Sequence, residues 1–228
     1  QNLNGEVLKE ENKKDVDGIN LKGTYNQNDL TISNKNVTRE KVEISYCQIY
    51  GLKDKIIQDK INKELEQIGL NFYKEEVKNL DEVINVSVNM KECANFANTL
   101  SIDVSYTAKI DDDGDGFYQG RKCLNYDLTT GEKITIDKLF TSDAPIEDIL
   151  RKSVYYSLIQ NRTEDSLSGD LVVSDYGDIE DEIALFMNMY KKGKITEFYY
   201  TPKYINIWYD TNTNITIDMK QYAEYIAI

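Results

Sequence analysis

The chain has no histidine among its 228 residues. Ser-His-Asp and Cys-His catalysis, HExxH zinc chemistry and a histidine-bearing deacetylase metal site all need an imidazole as base or ligand, so each is excluded. No GxSxG, P-loop or GxGxxG is present either. Cysteine is scarce: Cys47, Cys93 and Cys123 form an odd set without CxxC spacing, which argues against zinc and against a thioredoxin-type pair. One disulfide with a free thiol and three separate thiols both remain open. No run approaches the roughly 20 apolar residues that span a bilayer, so the sequence carries no candidate transmembrane helix. Positive charge is in deficit, 27 Lys and Arg against 40 Asp and Glu, for a net charge of -13. Such a surface repels nucleic acid and anionic membranes and attracts basic partners.

What is there is the patterning of a globular α+β protein. Residues 1–18, "QNLNGEVLKEENKKDVDG", are polar and have neither the basic nor the apolar region of a signal peptide, so they read as a tail or linker. Val42, Ile44 and Tyr46 alternate at strand period. Leu52, Ile56, Ile61, Leu65, Ile68, Phe72 and Val77 then recur at helical spacing, with Gly69 expected to bend or interrupt the helix. "VINVSVNMKEC", "TLSIDVSYTAKI" and "FYQGRKCLNYDL" read as an antiparallel meander punctuated by "ANFAN" and an aspartate stretch. A turn at Thr130-Gly131 leads to a short strand. Ile146, Ile149, Leu150, Val154 and Leu158 mark a second helix after Pro145, and Ile183, Phe186, Met187 and Tyr190 mark a third from about Ile179 to Lys192. "TEFYYT", "YINIWYD" and "NITIDM" supply closing strands. Non-alternating blocks of this kind point to antiparallel sheets with amphipathic helices on one face, in two subdomains at 19–140 and 141–228.

Two stretches invite a ligand. The "DDDGDG" run places Asp111, Asp113 and Asp115 at positions one, three and five of a calcium loop, with the carbonyl of Phe117 at position seven as a fourth donor. Position twelve is Lys122, and the flanks read as strands; a solvated hairpin turn is the competing reading. Among the closing strands, Tyr200, Tyr204, Trp208 and Tyr209 offer an aromatic platform for a sugar or a protein, set against ordinary sheet packing.

Further residues carry a family resemblance. "YCQIYGLKDKIIQDKINKEL" resembles the opening of domain of unknown function 4163, and "NYDLTTGEKITIDKLF" is similar to its Asn-x-Asp-Leu-x-Thr-Gly pattern. The helix pair with "FYYTPKYINIWYD" resembles domain of unknown function 3298, which usually follows it. Together they span about Glu40 to Ile228. The pairing occurs in extracytoplasmic parts of Gram-positive surface proteins, including lysozyme-binding anti-sigma factors of the RsiV type and deacetylases of the PdaC type. Where the family carries Gly-Gly-Ala-His at the hairpin tip, this chain has Asp113-Gly114-Asp115-Gly116. Cys47 stands at a usual proline. The resemblance implies an extracellular or surface-anchored module, with lysozyme or another cationic protein as partner. The rival expectation is a cell-wall domain contacting peptidoglycan, accessory to a larger protein. Neither expectation includes catalysis, nucleic acid or a required cofactor, calcium at the aspartate loop excepted.

Overall fold

Alternating residues on either side of Glu40 form a hairpin: β1 (Thr31–Arg39) pairs antiparallel with β2 (Val42–Tyr50) from Thr31–Tyr50 to Arg39–Val42. The computed structural model describes residues 30–110, 116–168, 179–209 and 213–228. Within β2, Val42, Ile44 and Tyr46 are buried, as their alternation requires. Helix α1 (Lys55–Asn71) follows, capped by Asp54, whose Oδ1 accepts from the backbone of Ile56 at 2.9 Å and Ile57 at 3.2 Å.

Two expectations about α1 need correcting. Ile56 is 82% exposed, because the cap sets the helical phase so that Ile57, Ile61, Leu65 and Ile68 turn to the sheet. Gly69 neither bends nor interrupts the helix, which continues to Asn71. Its role is close approach: a Cβ there would lie 2.6 Å from Tyr46 Cβ.

Short 3₁₀ turns at Phe72–Glu75 and Leu80–Glu82 lead into β3 (Asn85–Phe96), β4 (Thr99–Lys109) and β5 (Phe117–Asp127). These three form the expected antiparallel meander, in a five-stranded sheet of order β1-β2-β3-β4-β5. The exception to the antiparallel expectation is β2 and β3, which pair in parallel from Val42–Val86 to Ser45–Asn89. The reason is α1, which carries the chain back to the end of the sheet where β2 begins.

The "ANFAN" break is narrower than expected. Ala94, Asn95 and Phe96 stay in the strand, and the turn is Ala97-Asn98 alone, both at positive φ (51° and 57°). Leu100, Ile102, Val104, Tyr106 and Ala108 of β4 bury one sheet face beneath α1. Each fully buried aliphatic side chain contributes about 1.5–3 kcal/mol.

The short strand expected after Gly131 is reduced to a single bridge, Tyr126–Lys133, followed by a 3₁₀ turn at Ile136–Leu139. By internal contacts the chain divides between Ile134 and Thr135; Tyr199–Thr201 and Ile228 belong with the first unit. The second unit holds helices α2 (Ile146–Ser168) and α3 (Ile179–Lys191), which pack on each other. Ile149, Leu150 and Val154 of α2 are buried, as are Ile183, Phe186 and Met187 of α3. Strands β6 (Glu197–Tyr200), β7 (Tyr204–Trp208) and β8 (Asn214–Asp218) form a three-stranded sheet, with α2 against β8. At the end of α3, Gly193 (φ 64°) donates to Tyr190 O and Lys194 donates to Met189 O, the Schellman arrangement that satisfies the last carbonyls.

Candidate functional site

In the first unit, one sheet face packs under α1 and the other is polar. The antiparallel register places Lys91, Asp103 and Cys123 side by side across β3, β4 and β5. Asp103 is the centre of this row. Arg121 Nε lies 3.4 Å from its Oδ1, and the Cys123 thiol donates to the same oxygen at 3.9 Å. Partial burial raises the Asp103 pKa against the pull of Arg121. Tyr199 belongs to the same neighbourhood, its phenol pushed up by burial and by the charges around it.

Beside this row β3 is irregular. The pairing of β3 with β4 shifts between Glu92 and Ala94, leaving Cys93 as the extra residue of a bulge. On its other side β3 parts from β2 beyond Asn89, and a cleft of about 520 Å³ opens there. Cys47 and Met90 lie where the strands separate, the Cys47 thiol 3.7 Å from Met90 O and 3.5 Å from Asn34 Oδ1. Ile32, Asn34, Asn89, Lys91 and Glu92 complete the lining. Burial raises the Glu92 carboxyl and pushes the Cys47 and Cys93 thiols to about 11.

All three cysteines are free. Cys93 and Cys123 are separated by the whole of β4, roughly 9.6 Å for two strand spacings, which is too far for a disulfide. Among the described residues no group of three or more His, Cys, Asp or Glu side chains can hold a metal ion.

The candidates from sequence fall differently. Asp111, Asp113 and Asp115 lie outside the described residues. Phe117, the fourth donor, is 51% exposed and opens β5 opposite Lys109, so the stretch joins two antiparallel strands. Tyr200 is fully buried and packs edge-to-face on Phe96 at 5.8 Å, so it presents no surface. Tyr204 is 41% exposed, Trp208 and Tyr209 are half-buried, and Tyr209 stacks edge-on against Phe186. Tyr200 belongs to the first unit and the other three to the second. The cleft residues were missed. The signal available was the polar residues Asn34 and Asn89 in the middle of strands, where asparagine is disfavoured.

No protein-family model matches the chain, and no curated protein matches its sequence. Among solved structures it is similar to a member of the DUF3298 (domain of unknown function 3298) family from Bacteroides fragilis. That likeness has 13% identity and a TM-score of 0.51 over 90% of this chain and 95% of that one. It is similar too to a DUF3298 family protein from Pseudomonas aeruginosa, with 11% identity and a TM-score of 0.51 over 86% of this chain and 94% of that one. At such identities the likeness is one of fold. It spans both units, beyond the C-terminal half that carried the sequence resemblance to that family. The domain of unknown function 4163 part of the resemblance has no counterpart in these matches.

Proposed function

We propose that this protein is a non-catalytic binding module that acts outside the cytoplasm, and that its partner is a basic protein of the lysozyme kind. The observation that carries the non-catalytic part of this reading is the state of the thiols beside the absence of histidine. Burial pushes Cys47 and Cys93 up to about 11, so both stay protonated at neutral pH. Nucleophilic catalysis asks for the opposite, a thiol lowered by a neighbouring base or cation. With no imidazole in the chain, the histidine-based hydrolytic triads are absent.

A partner of opposite charge is supported by the net charge of -13, which speeds encounter with cationic proteins. Surface chemistry adds to this. Ile84, Ile110, Phe117 and Tyr118 are exposed around one end of the five-stranded sheet, a patch of the kind that protein partners cover.

Calorimetric titration with a cationic lysozyme at low and at high salt tests the reading. The expected result is a complex that weakens as screening grows, since the Debye length falls to roughly 8 Å at physiological ionic strength. No heat at either salt removes lysozyme as the partner. Turnover of a cell-wall substrate by the purified chain, lost on changing one acidic side chain, removes the non-catalytic claim. The second reading, a glycan-contacting domain, is favoured by the exposed Tyr204 and the half-buried Trp208, the sole tryptophan, at the two ends of β7. Quenching of Trp208 fluorescence by muropeptides would select it.

A further inference from the structure

We draw no further inference here: the strongest candidate, the surface patch of exposed apolar side chains Tyr155, Ile159 and Leu185 on the packed helices α2 and α3, carries nothing because nothing in the structure shows what covers it.

Discussion

Where β2 parts from β3, the side chain of Asn62 on α1 takes the place of a neighbouring strand. Its Oδ1 accepts from Ile49 N at 2.7 Å and its Nδ2 donates to Ile49 O at 2.9 Å, so both backbone groups of a fully buried residue are satisfied. Gln58 does the same one turn earlier, its Oε1 accepting from Gly51 N at 3.0 Å and Leu52 N at 3.2 Å. Removing one partner of a buried pair leaves the other unsolvated. Asn62→Ala should therefore cost about 2–4 kcal/mol, read as a lower urea midpoint at unchanged slope. Glu92 gives the opposite sign. Burial raises its folded pKa above the unfolded value, so the neutral form is preferred in the fold and the ionised form destabilises it. The contribution is fully favourable below the unfolded pKa and is lost as pH rises through the folded one. Glu92→Gln should raise the melting temperature at pH 7, with the difference vanishing below pH of about 4. Neither role was legible in the sequence. Asn62 sits among helix residues as one polar position in many, and its task depends on a gap between strands that no local pattern encodes.

At the scale of the element, helices showed themselves more readily than their contacts. The spacing of Ile61, Leu65, Ile68 and Phe72 gives α1, and that of Ile183, Phe186 and Met187 gives α3. What spacing could not give was why Gly69 is there. A glycine inside a helix costs about 1 kcal/mol relative to alanine, so propensity alone predicts that Gly69→Ala stabilises. The structure predicts the reverse: the new Cβ would meet Tyr46 Cβ at 2.6 Å and push α1 off the sheet. Overpacking of this kind costs typically 1–3 kcal/mol. A lowered melting temperature for Gly69→Ala decides between the two. The hairpin between β3 and β4 offers the contrary case. Ala97 holds φ 51° with a Cβ that disfavours it, so Ala97→Gly should stabilise by about 0.5–1 kcal/mol in the same assay. The parallel pairing of β2 and β3 was hidden for a related reason: alternation reports which face is buried and says nothing of strand direction.

Across the whole molecule the titrating groups point one way at high pH. Cys47 and Cys93 ionise at about 11 in the fold against an ordinary 9.0, and burial likewise pushes up Tyr106, Tyr126 and Tyr200. The unfolded chain therefore loses these protons first. The fold keeps their full contribution below about pH 9 and loses it progressively as pH rises toward the folded values. Melting temperature should be flat from pH 7 to 8.5 and fall steeply above 9, in step with the appearance of reactive thiol. A thiol reagent at pH 7.5 should leave Cys47 unmodified in the native protein. Globular α+β character was legible at this scale from composition and pattern. The acidic balance was too, although it identifies the sign of a partner and not the partner.

The five-stranded sheet is assembled from a hairpin, β1–β2, and a meander, β3–β4–β5, and the two are joined along a border of only four paired positions, Val42–Val86 to Ser45–Asn89. Force applied across the strands would tear the sheet along this seam, leaving hairpin and meander intact on either side, with α1 the remaining strap between them.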